Sequence, residues 1–272
     1  MTTDNPTTSD DIEFFQQNGY IRYENFFSAA ETASLKQAVD HAIDTHRARI
    51  KGATNDVGAE GGGRGSEDYE RVFNQMVNLW TDYPAAKEIA FHPRLAESAR
   101  LLSDSRHVRI YHDHAMIKPP GQKSKETNWH QDAPYWPMEP VGALSAWIAV
   151  DDVTPENGCL HFVPGSHQYG RLEAIKLGVA GESIVDKMKD QGYDVPEPVT
   201  MDMAAGGVTF HHGCTFHYAG ANQTETPRRA FAIIFIPDHT NFTGTHDAAG
   251  AAQEMQAGGP WNHPLHPILA GD

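Results

Sequence analysis

The sequence predicts a mainly β fold with flanking helices, and two observations lead to this prediction. Up to about residue 105, apolar residues recur at helical spacing, whereas after His107 short runs of Val, Ile, Phe and Trp alternate with Gly, Pro and Asn turns. Helices followed by many short strands indicate a helix-flanked β core rather than an array of βαβ units. We therefore expect one domain, 1–272, with these parts: a disordered tail at 1–9, a mostly helical flank at 10–105, a β core at 106–238 with an insertion at 171–200, and a C-terminal extension at 239–272.

Three helices are expected in the flank. The first lies within 10–20, with acidic residues at its start and Gly19 as its stop. The second begins at Ser28, because Glu31 three residues further on completes a capping box. The third runs from Pro84 to Leu102.

Strands are expected in the six β-rich runs at 107–118, 143–153, 159–165, 206–212, 214–220 and 228–237. Two segments between the regular elements are candidate lids over a binding site. One is the Gly-rich stretch at 52–66, and the other is the polar insertion at 171–200. No Gly-rich phosphate loop follows a strand, which argues against a nucleotide-binding fold.

Composition excludes several classes of partner. The chain has 272 residues and a formal net charge of −15, which argues against non-specific nucleic-acid binding and against docking on an anionic membrane. The longest strongly apolar run, Ala230–Pro237, is far shorter than the roughly 20 residues that span a bilayer. The N-terminus is polar and acidic, unlike a signal peptide, and there are only two cysteines. We expect a cytoplasmic protein with no nucleic-acid or membrane partner.

The 16 histidines raise the expectation of a metal site, and the sharpest pattern is Asn128-Trp129-His130-Gln131-Asp132. In an extended chain, residues i and i+2 point to the same face, so His130 and Asp132 can offer ligands to one metal ion. A second histidine from a facing strand would complete two histidines and a carboxylate. That set leaves three coordination positions open and is typical of non-haem Fe(II) oxygenases.

The residues alone leave alternatives open. His112 and His114, which flank an aspartate, form a competing pattern on a predicted strand. The distal ligand has three candidates: His211, His212 and His217.

The surrounding motifs resemble the phytanoyl-CoA dioxygenase-like family of Fe(II)/2-oxoglutarate oxygenases. The resemblance covers roughly residues 107–237. Its features are His130 and Asp132, then Trp147, Glu156-Asn157-Gly158, Pro164-Gly165-Ser166-His167, the distal His217, and Arg228 eleven residues beyond it.

The resemblance implies a double-stranded β-helix (jelly-roll, cupin-like) core. It also implies Fe(II) on His130, Asp132 and His217, with O2 and the co-substrate 2-oxoglutarate filling the open positions. Arg228 would clamp the far carboxylate of 2-oxoglutarate, because a guanidinium forms paired charge-assisted hydrogen bonds. The further co-substrate contacts that we expect are Trp147, His114 and Gln131.

The chain departs from the family pattern at two positions. His114 stands where relatives often have a methionine, and Ala219 stands where the family tends to have a serine that contacts 2-oxoglutarate. Asp132 is present, whereas related halogenases have a small residue there. Hydroxylation or another oxidation of an unactivated C–H bond, with release of succinate and CO2, is therefore the expected reaction.

The expected substrate is a small molecule. Tyr135 and Trp136 follow the Asp ligand and should lie at the pocket mouth, although core packing explains them equally well. Lys118 could meet an anionic group, but a basic cluster on a solvated loop is the favoured interpretation of that lysine. Two alternatives remain: a cupin-type metalloenzyme that does not use 2-oxoglutarate, and a non-catalytic binding protein on the same fold. The sequence indicates no oligomeric state.

Overall fold

The fold is known from a computed structural model that describes residues 6–53, 74–121, 124–175, 183–245 and 250–272. The helices in these ranges are α1 Ser9–Asn18, α2 Ala29–Ala53, α3 Leu79–Asp82, α4 Pro84–Ala90, α5 Pro93–Leu102 and α6 Ile184–Asp190. The strands are β1 Tyr20–Tyr23, β2 Asn74–Val77, β3 His107–Lys118, β4 Thr127–His130, β5 Met138–Glu139, β6 Leu144–Ala149, β7 Leu160–Phe162, β8 Val199–Met201, β9 Val208–His212, β10 His217–Ala219, β11 Arg228–Pro237, β12 Asn241–Phe242 and β13 Ile268–Gly271.

Two antiparallel sheets form the core. The larger sheet has the order β1-β9-β6-β11-β3-β13, with β2 also paired to β3, and the smaller sheet has the order β4-β10-β7-β8. Between β3 and β11 the chain passes repeatedly from one of these sheets to the other, with only β7 and β8 consecutive in the same sheet. This crossing between two facing sheets is the jelly-roll topology of a double-stranded β-helix. The predicted fold class is confirmed.

The helices cover one face of the larger sheet. Alternate residues of its strands, such as Ile148, Phe210 and Phe231, face out and join one buried cluster with Leu35 of α2 and Leu95 of α5. The opposite residues face the smaller sheet and form a second cluster, which includes Trp147, Phe162 and Ala232. The inner space between the sheets is where a barrel of this kind holds a ligand.

Local signals in the sequence explain the helix boundaries. The capping box at Ser28 forms as predicted, since the Glu31 carboxylate accepts from Ser28 N at 2.8 Å and Glu31 N donates to Ser28 Oγ at 3.3 Å. Gly19 ends α1 with a left-handed φ of 78°. The predicted single helix from Pro84 to Leu102 is wrong: it is broken at Phe91 and His92, because Pro93 disfavours the helical conformation for the residue before it.

Three strands of the larger sheet come from outside the predicted 106–238 core. β1 pairs with β9, and β2 and the C-terminal β13 pair with the two ends of β3, on the edge opposite to β11. The flank therefore contributes two strands and the extension one strand to the larger sheet, while helices make up most of the described flank. Each of these strands has only four residues, too few to show a clear alternating pattern.

Of the two candidate lids, the structure describes a substantial part of only one. Residues 54–66 of the predicted Gly-rich loop lie outside the described residues, and α2 extends to Ala53. In the insertion, α6 buries Ile184, Val185 and Met188 against Val163 and Phe216. The last two residues of the insertion, Val199 and Thr200, belong to β8. At least this part of the insertion is an integral part of the packed fold.

None of the helices in the described ranges combines the length and the apolar character that a bilayer crossing requires.

Candidate metal and co-substrate site

Three potential metal ligands converge at one end of the smaller sheet. His130 is the last residue of β4 and His217 the first of β10, and the two are direct register partners. Asp132 follows β4 in a turn, and its own backbone N–H donates to Gly213 O at 2.9 Å. One ligand atom from each of the three residues lies within 4.8 Å of the other two. The structure thus brings together the His-x-Asp pair and, of the three distal candidates, His217.

Backbone carbonyls orient both imidazoles. His130 Nδ1 lies 2.6 Å from Asn128 O, and His217 Nδ1 lies 3.0 Å from Thr215 O. Because a carbonyl only accepts, each Nδ1 carries the proton and each Nε2 keeps its lone pair for a metal. Burial lowers the pKa of His217 well below its usual value, so this imidazole is in the neutral form that binds metals.

The two oxygens of the Asp132 carboxylate have different neighbours. Its Oδ1 lies 3.6 Å from His130 Nε2 and 3.7 Å from His217 Nε2, and its Oδ2 lies 3.3 Å from His211 Nε2. Burial alone would raise the pKa of Asp132, but the surrounding histidines, His217 above all, outweigh it and hold the pKa well below its usual value. Asp132 is therefore ionised, as a metal ligand must be.

Arg228 is a buried cation on the inner face of the larger sheet. It is 2% exposed, and its Nε and Nη1 have no hydrogen-bond partner among the described residues. Burial lowers the pKa of Arg228 to about 10, so the group stays charged at neutral pH. The following inner positions on β11 are Ala230 and Ala232, so this strand places no bulky side chain next to the guanidinium. Unpaired buried donors on a cation fit a carboxylate ligand.

Trp147 and His114 lie on the same inner face as Arg228, one on each side of β11. The two residues are opposite Ala232 on either side of β11, and Arg228 Cζ lies 5.4 Å from the centre of the Trp147 ring. Burial lowers the pKa of His114 to about 4, so its imidazole is neutral. The structure thus places both predicted residues on the inner face that carries Arg228.

In the competing pattern, the two histidines and the aspartate between them lie on opposite faces of β3. His112 and His114 are on the inner face, where their Nδ1 atoms lie 3.4 Å apart, and β3 belongs to the larger sheet whereas His130 and His217 belong to the smaller sheet. Asp113 between them faces the helices, where its two carboxylate oxygens accept from Leu79 N and Trp80 N at 2.8 Å each. This aspartate caps α3 and cannot share a metal with its neighbours.

Gln131 is not brought to the site, in contrast to the prediction. It points away from His130 and Asp132, since consecutive residues alternate in direction. Its Nε2 donates to Gly170 O at 2.7 Å and Cys214 O at 2.8 Å, and its Oε1 accepts from Leu172 N at 2.9 Å. These bonds tie the loop after the 3-10 turn Ser166–Tyr169 to the turn that precedes His217.

Lys118 does not lie on a solvated loop, as the basic-cluster interpretation required. It is the register partner of Arg228, is 1% exposed, and donates to Lys125 O at 2.7 Å, Ala219 O at 3.3 Å and Thr127 Oγ1 at 3.4 Å. Burial lowers the pKa of Lys118 to about 7. Its three N–H groups are matched by three protein acceptors, which leaves none for a substrate anion.

Tyr135 and Trp136 lie directly after Asp132, in and beyond the 3-10 turn Ala133–Tyr135, and both are partly buried. Tyr135 Oη donates to Ile175 O at 2.5 Å, next to the part of the insertion outside the described residues. Trp136 packs over Gly213, where an added Cβ would lie 2.5 Å from the indole.

Sequence reasoning missed Ser145 and Thr209, and it considered His211 as a candidate distal ligand rather than as a partner of Asp132. His211 and Ser145 contact Asp132 Oδ2, and the buried Thr209 hydroxyl, opposite Trp147 in the sheet, has no partner among the described residues. The alternation of β9 places Thr209 and His211 on one face. No pattern within β9 could indicate that this face meets Asp132 from the other sheet.

Comparison with known proteins agrees with this geometry. Residues 15–230 match the family model described as phytanoyl-CoA dioxygenase (PhyH). The ectoine dioxygenase of Bordetella bronchiseptica is 29% identical over 249 residues, which cover 84% of this chain and 75% of that protein. The phytanoyl-CoA dioxygenase of Arabidopsis thaliana is 24% identical, with coverages of 84% and 88%.

Solved structures with the same fold include enzymes of nogalamycin biosynthesis. The α-ketoglutarate-dependent carbocyclase SnoK has a TM-score of 0.79 and 23% identity, with 97% of each chain covered. The epimerase SnoN, in complex with Fe3+, α-ketoglutarate and nogalamycin RO, has a TM-score of 0.68 and 25% identity, with coverages of 95% and 97%.

The fold and the converging site define the class of Fe(II)/2-oxoglutarate-dependent dioxygenases. Within this class, the chain belongs to the phytanoyl-CoA dioxygenase (PhyH) family.

Proposed function

We propose that this protein uses Fe(II), 2-oxoglutarate and O2 to oxidise an unactivated C–H bond of a small molecule, most simply by hydroxylation. One observation carries the proposal. Two histidines and a carboxylate converge at one end of the barrel, and a buried arginine with two unpaired donors lies on the inner face that the same barrel encloses.

Each residue has a distinct task in this proposal. His130 Nε2, His217 Nε2 and Asp132 Oδ1 would hold the iron, because two histidines and one carboxylate are a donor set that can leave positions for a co-substrate and O2. Arg228 binds the far carboxylate of 2-oxoglutarate, and Trp147 packs beside it. Thr209 supplies a hydroxyl in the same inner space, where Ala219 lacks the hydroxyl that relatives have. His114 presents a neutral imidazole to the co-substrate.

When bound, iron and 2-oxoglutarate supply the oxidant: O2 and 2-oxoglutarate are consumed, and CO2, succinate and the hydroxylated product are released. The chain's own residues orient the co-substrate and exclude water. The apolar inner surface, with Phe162, Ala230 and Ala232, serves the second task.

Two observations support a small-molecule substrate. A relative is named ectoine dioxygenase, and Lys118 offers no free N–H to a large anion such as a CoA ester. Two buried free cysteines, Cys159 and Cys214, support a location in the reducing cytoplasm.

Anaerobic titration tests the proposal. Protein loaded with Fe(II) should develop a visible charge-transfer band when 2-oxoglutarate is added, and exposure to O2 should then yield succinate. Asp132→Ala should show neither signal, while a variant remote from the site, such as Phe14→Ser on an exposed side chain, should show both. Absence of the band in the wild-type protein at saturating Fe(II) and 2-oxoglutarate contradicts the proposal and favours an enzyme that does not use 2-oxoglutarate.

A further inference from the structure

We infer that His211 and Ser145 are positioning residues that hold Asp132 so that a single carboxylate oxygen faces the metal. This inference rests on the proposed function, because it concerns the manner in which the proposed ligand Asp132 binds iron. It assigns a task to two side chains outside the predicted ligand set.

The two oxygens of Asp132 have separate surroundings. Oδ1 is the oxygen nearest to both ligand imidazoles. Oδ2 is turned away from them, with His211 Nε2 at 3.3 Å and Ser145 Oγ at 3.2 Å. A carboxylate with both oxygens toward the ion would occupy two coordination positions, so the contacts of Oδ2 favour binding through Oδ1 alone.

The hydrogen positions follow from the partner. An ionised carboxylate only accepts hydrogen bonds, so the His211 Nε2 that faces Asp132 Oδ2 is the donor. The Ser145 hydroxyl donates to the same oxygen, so Oδ2 accepts two bonds.

The two donors come from the sheet that does not carry the metal ligands. Ser145 on β6 and His211 on β9 are register partners, and their side chains lie side by side on the inner face of the larger sheet. Asp132 follows β4 of the smaller sheet. Both donors are 3% exposed. Asp132 therefore links the two sheets, and its angle is fixed by a rigid strand pair rather than by its own loop.

Anaerobic binding of Co(II) tests this inference without turnover. His211→Leu removes the donor at similar volume, and we expect a 10- to 100-fold loss of Co(II) affinity, the range typical when a partner of a metal ligand is lost. Ser145→Ala should weaken affinity in the same direction. His211→Gln, whose amide nitrogen can occupy the place of Nε2, should restore most of the loss. A freed Oδ2 would also compete with 2-oxoglutarate for a coordination position, so His211→Leu should weaken 2-oxoglutarate binding to the Co(II) protein.

His212→Leu is the matched control, since it removes the adjacent imidazole, which points to the other face of β9. It should keep Co(II) affinity within about threefold of the wild type. Thermal melting without metal checks that each variant is folded, and if His211→Leu does not fold, Ser145→Ala reports on the same oxygen.

Wild-type Co(II) and 2-oxoglutarate affinities in both His211→Leu and Ser145→Ala would overturn the inference, as would a His211→Gln variant as weak as His211→Leu. Failure of the proposed function is a different result: Co(II) would then bind equally to the wild type and to Asp132→Ala.

Discussion

Arg228 shows how a single residue can indicate a ligand. A guanidinium that is 2% exposed and has two nitrogens without a partner among the described residues is costly unless an anion binds it. The Trp147 ring centre lies 5.4 Å from its Cζ, while Nε and Nη1 are the nitrogens that remain unpaired. These observations favour an anionic ligand at Arg228.

We predict that Arg228→Ala weakens 2-oxoglutarate binding by about 2 kcal/mol or more, equal to roughly 30-fold in Kd, because charge-assisted hydrogen bonds to the carboxylate are lost. Arg228→Lys should recover only part of this, since an ammonium cannot form the paired bonds. Calorimetry on the anaerobic Co(II) protein measures both values. Metal affinity should stay unchanged, and an unaltered Kd for 2-oxoglutarate would show that the carboxylate binds elsewhere.

Lys118 leads to a prediction about pH and stability. Its pKa in the folded state is about 7, below the ordinary value of 10.5, so between these pH values the unfolded chain binds more protons than the native protein. Stability from this residue therefore increases as pH rises above 7, with a slope of up to about 1.4 kcal/mol per pH unit. Lys118→Met should lack this contribution.

Urea unfolding at pH 7.0 and about 8.3 provides the measurement, because this window lies below the ordinary pKa of about 8.5 for the two thiols. The difference between wild type and Lys118→Met should change across the window. A constant difference would mean that Lys118 remains fully protonated in the fold.

Individual residues of the site also differ in how well the sequence predicts their positions. The i, i+2 rule puts His130 and Asp132 on one face, and the family spacing selects His217, and the structure brings these three together. Gln131 lies outside the site because consecutive residues of an extended chain alternate in direction, and backbone groups of the neighbouring turns use its amide. The burial of Lys118 could not be predicted, because lysine is rarely buried and two of its three acceptors are backbone carbonyls that no side-chain pattern reveals.

Among the secondary-structure elements, the connection between α1 and β1 at Gly19 contacts the turn that leads to the site. Gly19 O accepts from His212 N at 2.9 Å and from Thr215 Oγ1 at 2.7 Å. Thr215 O in turn accepts from His217 Nδ1. The N-terminal segment thus holds the turn that leads into β10.

Gly19→Ala should destabilise the protein more than a glycine substitution in open space. Its φ is 78°, and an added Cβ would overlap His167 Nδ1 and lie 2.6 Å from Thr215 Oγ1. Gly192→Ala is the control, since its φ is 86° with nothing within 4 Å. The left-handed conformation costs both variants about 1–2 kcal/mol, and crowding should cost Gly19→Ala about 1–3 kcal/mol more. Equal midpoints in urea unfolding would contradict this.

Elements with a local signal were predictable, and elements without one were not. The capping box at Ser28 and the stop at Gly19 are encoded within a few residues, and both form as expected. The edge strands β1 and β13 have only four residues each and owe their conformation to partners far away in the chain. Tertiary pairing, rather than local propensity, decides such segments.

For the whole molecule, metal binding should be visible as stability. A ligand that binds only the native state stabilises it by about 2.7 kcal/mol at a concentration 100 times its Kd. Co(II) should therefore raise the Tm of the wild-type protein by several degrees. Asp132→Ala should show no increase, and addition of a chelator should reverse the increase in the wild type. A wild-type Tm that does not respond to metal would argue against a site formed by the fold.

The pairing of His130 with His217 has a consequence for biosynthesis. The two strands are neighbours in the smaller sheet although nearly a third of the chain separates them, and β9 with His211 is made only shortly before β10. A ribosome that has released β4 has delivered one imidazole and one carboxylate, which hold iron weakly. We therefore expect iron to bind only after the barrel closes, a slow step in folds with such distant pairings. The metal would then stabilise a chain that is already nearly folded and would not direct its folding.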